Sequence, residues 1–96
     1  MSKPPWKQRK QEYLEKLKEK DAQIKLVVAC DKLHNAQSIV KDVKLYGPDV
    51  WARFNASPID IVWYYEGILE GLNDLDSKVT LLLKDQVNSI RILAIP

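Results

Sequence analysis

Apolar residues recur along this chain at intervals of three and four, the spacing that places them on one face of an α-helix. No stretch of the sequence keeps the strict alternation of apolar and polar residues that is typical of a half-buried strand. The first apolar face contains Trp6, Leu14 and Leu17 and predicts an amphipathic helix over about residues 6–19, behind an extended lead-in at residues 1–5. The pattern therefore predicts an all-α fold.

The second predicted helix is the longest and runs from about Ala22 to Tyr46. Asp21 lies just before it and fits the N-cap position, because its carboxylate can accept a hydrogen bond from an unpaired N–H group of the first turn. Gly47 and Pro48 predict the end of this helix, since glycine readily takes a positive φ and proline cannot continue the helical hydrogen bonding.

The rest of the chain predicts three further helices. A short one covers residues 48–54, a longer one reaches from Ser57 and Pro58 to about residue 72, and the last covers about residues 77–93. Ser57 fits an N-cap and Pro58 the first helical position, where its missing N–H group is not needed. We expect four main helices and one short helix in a single domain of residues 1–96.

Composition narrows the classes of site that one copy of the chain can build. The 96 residues are 46% hydrophobic and 29% charged, which is ordinary for a small globular domain. The chain has one histidine, His34, and one cysteine, Cys30, so a zinc cluster or a disulfide framework is excluded within one copy. Cys30 lies on an apolar face, and we expect it in the core.

The net charge of +2 is unevenly distributed. Residues 1–20 carry a net charge of +4 and the remainder −2, and we interpret the basic segment as a solvated helix face. Direct nucleic-acid binding is not expected, because no aromatic residues interleave with the basic ones. The longest apolar runs have five residues, against about 20 for a membrane span. With no signal-peptide pattern, we expect a cytoplasmic protein.

Two polar residues, Asp31 and Asn35, interrupt the apolar run of the second helix and lie one turn apart. A carboxylate buried there without a partner would be costly, so Asp31 requires a cation, a metal ion or a water-filled cleft. Two interpretations stay open at this point. Asp31 either pairs with a lysine such as Lys32 or with a neighbouring backbone, or it belongs to a functional site.

The residues around Asp31 resemble a known motif. Residues 28–36, Val-Ala-Cys-Asp-Lys-Leu-His-Asn-Ala, are similar to the last conserved motif of HD-domain metal-dependent phosphohydrolases, in the branch that includes the hydrolase half of RelA/SpoT stringent-response enzymes. Residues 4–13, 51–55 and 63–65 resemble the flanking segments of small stand-alone bacterial members. This resemblance covers nearly the whole chain and implies a partial HD-domain-like helical bundle.

The resemblance also implies roles for individual residues. In the family a histidine, a His-Asp doublet and a final aspartate hold Mn²⁺ or Mg²⁺, and the final aspartate corresponds to Asp31. Asn35 is similar to the asparagine beside the bound nucleotide, and Lys32 joins it as a substrate-binding candidate. No His-Asp pair occurs in this sequence, and His34 belongs to the Asp31 motif, where a structural histidine bonded to backbone is expected. We therefore expect no catalytic residues and no hydrolysis from the single chain.

Two hypotheses of different classes follow. In the first, the chain is a truncated HD-domain protein related to (p)ppGpp and nucleotide pyrophosphohydrolases, which supplies Asp31 and Asn35 to a metal site completed by a partner chain. In the second, it is a non-catalytic helical homo-oligomer that serves as a binding or structural module. Both predict that another chain or a rearranged helix covers the face of Leu26, Leu33 and Val40.

Weaker candidates lie on the helix that begins near residue 58 and, for Asp74, just beyond its end. Glu66, Glu70 and Asp74 are spaced like paired acid and base carboxylates, but carboxylates four apart on a helix usually face water, and we expect them to do so. Gly67 and Gly71 have the same spacing and predict that a neighbouring element packs closely against this helix.

Overall fold

A computed structural model of the chain describes residues 5–54 and 56–95 and contains, within them, helices and no strand. The helices are α1 (Trp6–Leu17), α2 (Ala22–Tyr46), α3 (Pro58–Gly71) and α4 (Lys78–Ala94), and a 3₁₀ helix (Pro48–Arg53) lies between α2 and α3. The all-α prediction is confirmed, as are the four main helices and the short one. Residues 1–4 of the lead-in, and Asn55 of one flanking segment, lie outside the described residues.

Three of the described helices, α2, α3 and α4, begin where the sequence places short polar side chains. The Ile24 N–H group donates a hydrogen bond of 2.9 Å to Asp21 Oδ1 at the start of α2. Ser57 Oγ accepts in the same way at the start of α3, and Ser77 Oγ accepts at the start of α4. Each of these side chains satisfies an N–H group that has no partner inside its helix. The three starts were predictable because the signals are local.

The end of α2 also follows the prediction. Gly47 has a φ of +84°, a region that residues with a side chain rarely adopt, and its N–H group donates to the Val43 carbonyl. Pro48 then begins the 3₁₀ helix, which folds back against α2. This turn brings the buried side chains of Val50 and Trp51 onto α2.

Helix α1 packs on α3, α3 packs on α4, and α4 packs on α2. The molecule is flat, with extents of 40 × 37 × 17 Å. Its centre consists of apolar side chains from α3, α4 and the residue after α3. The largest fully buried ones are Ile68, Leu72, Leu83, Val87 and Ile90.

The contact between α1 and α3 depends on two glycines. A Cβ atom on Gly67 would lie 2.5 Å from Leu14 Cδ1, and one on Gly71 would lie 2.9 Å from Leu17 Cδ2. Both leucines are buried because the glycines leave room for them on the surface of α3. The predicted close approach at these glycines is confirmed, and the groups that enter the space are side chains of α1.

Burial along α2 differs from the prediction in its first half. Val40 and the alanines of the expected face are buried against the body, but Leu26 is 40% exposed and Cys30 is exposed. The core placement of Cys30 is therefore wrong. Val27, at 67% exposure, lies on the same uncovered side of α2. The reason is geometric: α4 covers one side of α2, and no described helix covers the opposite side of its first turns.

Candidate functional site

Asp31, the residue singled out by the motif, projects into solvent. Its side chain is 62% exposed, and its Oδ2 lies 3.5 Å from Lys32 Nζ. Asn35 Nδ2 donates to the same oxygen, also at 3.5 Å. The interpretation in which Asp31 pairs with Lys32 is thus the one that the contacts bear out. The expectation of a carboxylate among apolar side chains is wrong, because Asp31 lies at the edge of α2 that the body does not cover.

The other two candidates from the motif, Lys32 and Asn35, line a cleft of about 450 Å³. Four helices contribute to its wall, α1, α2, the 3₁₀ helix and α3. We call it the basic cleft and define it by Trp6, Lys10, Lys32, Asn35, Arg53 and Tyr64. These residues supply three cationic side chains, one amide and two large aromatic rings, and the cleft is also lined by Asp42, Phe54 and Tyr65.

Aromatic rings and ammonium groups alternate in the wall of the basic cleft. Lys10 Nζ lies 4.8 Å from the ring centroid of Tyr64 and 5.9 Å from that of Trp6. Lys32 Nζ lies 5.5 Å from the Tyr64 centroid and 5.8 Å from that of Tyr13. Such distances allow the face of each ring to attract the nearby cation. Tyr64 therefore helps to hold two like charges beside each other.

Carboxylates neutralise only part of this positive charge. Lys32 pairs with Asp31, and Arg53 Nη1 lies 3.5 Å from Asp42 Oδ2. Lys10 has no carboxylate within ion-pair distance among residues 5–54 and 56–95. Burial, together with the nearby charge of Lys32, lowers the pKa of Lys10. Burial is the larger cause, and the positive charges of Lys32 and Arg9 add to it.

Tyr64 and Tyr65, two buried residues of α3, line the floor of the basic cleft. Burial, and secondly the charge of Asp31, raises the pKa of Tyr64 to about 12. Burial also raises the pKa of Tyr65, and the neighbouring Tyr64 adds to the effect. Both phenols therefore stay neutral near neutral pH, and they compensate none of the positive charge of the basic cleft.

The remaining candidates face solvent. Glu66 accepts from Arg91 at 3.3 Å, and Glu70 lies 3.9 Å from Lys18. Asp74 pairs with Lys25 at 2.8 Å. Each carboxylate thus pairs with a cation of another helix, as expected for water-facing groups and not for an acid and base pair.

His34 is exposed and, within the part of the chain that the structure describes, makes no hydrogen bond to backbone. The expectation of a backbone-bonded structural histidine is wrong, because His34 lies on the side of α2 that no helix covers.

The described residues of this chain do not fit a metal ion by themselves. Among residues 5–54 and 56–95, no group of three or more histidine, cysteine, aspartate or glutamate side chains is arranged to hold one. Asp31 and Asn35 offer at most two ligands, and the Asp31 carboxylate is already paired with the Lys32 ammonium group. The Asn35 amide nitrogen, moreover, points to Asp31.

Sequence reasoning assigned Lys32 and Asn35 to a site but missed Lys10, Arg53 and the rings that join them in the cleft. Their segments were noted only through the family resemblance, and nothing in the local pattern distinguishes Lys10 from the other lysines of α1. The signal that would have found them is tertiary, because the wall combines residues far apart in the sequence, from Trp6 on α1 to Tyr65 on α3. No protein-family model matches the chain, and a search of the curated proteins finds no match either.

Proposed function

We propose that this chain binds a phosphorylated ligand with a planar ring, a guanine nucleotide, in the basic cleft, and that alone it does not hydrolyse it. The observation that carries the proposal is the convergence of Lys10, Lys32 and Arg53 beside the rings of Trp6 and Tyr64. Phosphate groups seek such cations, and an aromatic base can stack on such rings.

The cleft suits both parts of a nucleotide. Arg53 offers a planar fork of donors that matches phosphate oxygens, while Lys10 and Lys32 act as compact charges. Asn35 carries one amide donor group and one acceptor, which can read the edge of a base or a ribose hydroxyl. The choice of guanine rests on the resemblance of residues 28–36 to the HD-domain motif, in which the asparagine lies beside the nucleotide.

The lack of hydrolysis in this proposal follows from ligand chemistry. A divalent cation lowers the pKa of bound water and clamps a phosphoryl oxygen only when several fixed ligands hold it. Of the family's ligands, this chain carries the counterpart of the final aspartate, Asp31, and that carboxylate pairs with Lys32. Binding without turnover is therefore the activity that we assign to the single chain.

Titration calorimetry tests the binding. We expect GDP and ppGpp to bind more tightly than guanosine, which lacks phosphate, or ribose 5-phosphate, which lacks the base. Replacing Lys32→Gln and Arg53→Gln together should weaken GDP binding at least about tenfold, since each lost charged contact contributes about 1.5–3 kcal/mol. Lys84→Gln removes an exposed lysine on α4 and is the matched control.

Two results would contradict the proposal. One is equal affinity of the Lys84→Gln and the double variant for GDP. The other is the absence of any GDP binding at millimolar concentration while circular dichroism shows a folded chain.

A second candidate function is completion of a metal site in a complex. It is favoured by the position of Asp31, whose side chain is 62% exposed at the border of an uncovered apolar surface. We define that surface as the α2 apolar face, which consists of Ile24, Leu26, Val27 and Cys30. A partner chain that carries a histidine and a His-Asp doublet would cover this face and place its ligands beside Asp31, with Mn²⁺ or Mg²⁺ as the expected ion.

A mixing experiment tests this second candidate. Metal-dependent release of pyrophosphate from ppGpp is expected only when this chain and such a partner are mixed, and Asp31→Asn should abolish it. Asp85→Asn, an exposed carboxylate on α4, is the control. Equal release by the partner chain alone would exclude the candidate.

A further inference from the structure

Lys10 differs from the other two cations of the basic cleft. Lys32 and Arg53 each lie 3.5 Å from a carboxylate oxygen, whereas Lys10 has no such partner within residues 5–54 and 56–95. The surroundings of Lys10 Nζ are instead the rings of Tyr64 and Trp6, and its side chain is half-buried. The two ring faces attract its charged form, but within the described residues no carboxylate holds its proton at the wall of the cleft.

The charges that face Lys10 favour its neutral form. Arg9 lies next to it on α1 and Lys32 faces it from α2, while Arg53 and its carboxylate partner Asp42 line the same cleft as an ion pair. Burial and the charges of Lys32 and Arg9 lower the pKa of Lys10, and Tyr64 on α3 adds no negative charge near neutral pH. A lower pKa means a larger fraction of free amine, which is the nucleophilic form.

We propose that Lys10 is a site of covalent acylation by small acyl phosphates, with the phosphate group held by Lys32 and Arg53. The lone pair of the Lys10 amine attacks the carbonyl carbon, and the bond from that carbon to the phosphate oxygen breaks. The electron pair of this bond leaves with the phosphate, and the nitrogen loses a proton to solvent. The products are an amide on Lys10 and inorganic phosphate, and no oxidation or reduction takes place.

This modification would act on the basic cleft itself. Acylation removes the charge of Lys10, which no carboxylate of the described residues neutralises, and adds an acyl group beside Tyr64 and Trp6. The acylated chain should therefore bind GDP less tightly than the unmodified chain. The position of the phosphate rests on the anion binding proposed above, whereas the reactivity of the amine does not.

Acetyl phosphate is the probe. The purified chain is incubated with it, and peptide mass spectrometry follows the acetylated fraction of each lysine with time. Lys16, an exposed lysine on the same helix, is the internal control. We expect Lys10 to react at least about tenfold faster than Lys16, a small part of what positioning of reactants can supply. Inorganic phosphate should suppress this preference, and so should Arg53→Gln, whereas Lys84→Gln should not.

Phenyl acetate, a neutral acylating reagent without a phosphate group, separates the reactivity of the Lys10 amine from the role of the phosphate. A Lys10 preference that is equally large with phenyl acetate would overturn the role of the phosphate. Equal rates at Lys10 and Lys16 with acetyl phosphate would overturn the inference as a whole. If GDP nevertheless binds, the proposed nucleotide binding stands without the acylation of Lys10. If Lys10 is preferred and phosphate competes while GDP does not bind, the acylation stands and the nucleotide function fails.

Discussion

Lys25 Nζ lies 2.8 Å from Asp74 Oδ1 and thereby ties the first turn of α2 to the loop between α3 and α4. Lys25 is only 3% exposed, and it is the one buried charged residue in the described core, whereas the Asp74 side chain is 67% exposed. The aliphatic part of Lys25 is thus covered by the body, and its ammonium group reaches the surface only where Asp74 accepts it.

The first prediction concerns the two sides of this ion pair. Asp74→Asn leaves a buried ammonium group without its charge partner, so we expect the free energy of unfolding to fall. Lys25→Met removes the buried charge and keeps most of the length of the side chain. It should therefore leave the free energy of unfolding unchanged or raise it by up to about 2 kcal/mol. Urea unfolding of both variants measures the difference. Equal losses in both variants would contradict this account.

The second prediction is an acid dependence of stability. The hydrogen bond and charge of Lys25 lower the pKa of Asp74 below its ordinary value of 3.8. Since the folded state binds this proton less readily than the unfolded chain, the contribution of Asp74 is complete above about pH 4 and is lost as the pH falls through the lower, folded value. Unfolding curves at a series of acidic pH values measure it.

The matched variants for this experiment lie two positions apart in the same loop. Asp74→Asn should flatten the acid dependence, and Asp76→Asn, which removes an exposed carboxylate from that loop, should leave it in place. If the free energy of unfolding depends on acidic pH in the same way in Asp74→Asn, other carboxylates dominate this dependence.

The third prediction concerns the alkaline limit and Tyr64. Its pKa is raised to about 12 from an ordinary value of 10.0, first by burial and then by Asp31. The unfolded chain therefore loses the phenol proton first, so the contribution of Tyr64 to stability is complete below pH 10 and is lost as the pH rises toward 12. Tyr64→Phe should reduce this loss. Tyr46→Phe, at a tyrosine that is 65% exposed, should not.

A spectrophotometric titration gives a second readout of the same pKa. Asp31→Asn removes the negative charge that disfavours the phenolate, so the phenolate absorbance of Tyr64 should appear at lower pH. Asp85→Asn, which removes an exposed carboxylate from α4, is the control. An unchanged phenolate titration in Asp31→Asn would show that the charge of Asp31 does not act on Tyr64.

The bounds of the helices could be predicted from the sequence because the signals that set them are local. Asp21, Ser57 and Ser77 accept hydrogen bonds from N–H groups two or three residues away, and Gly47 ends α2 through its own backbone angle. None of these features depends on distant parts of the chain. The composition and spacing of the residues were sufficient.

The exposed side of α2 could not be predicted in the same way. Apolar residues surround the first turns of this helix, so periodicity alone does not say which side α4 covers. The burial of Lys25 could not be predicted for the same reason, because it depends on Asp74, 49 positions later. The basic cleft likewise needs four helices, and only Lys32 and Asn35 belong to one local motif.

The last prediction concerns the α2 apolar face, where Val27 is 67% exposed and Ile24 is 45% exposed. The sequence predicted an uncovered surface at Leu26, Leu33 and Val40, and the fold moves it toward the start of the helix because Val40 is buried. Clustered apolar side chains in contact with water favour association, so we expect a second chain to cover this face.

Light scattering after size-exclusion chromatography measures that association. We expect the purified chain to have a mass above that of the 11.1 kDa monomer, and Val27→Asp to lower it, because a carboxylate would be buried in the contact. Leu45→Asp is the matched control, since Leu45 is 63% exposed near the other end of the same helix. A parent chain that stays monomeric at high concentration would exclude a homo-oligomer through this face and leave a different partner chain as its occupant.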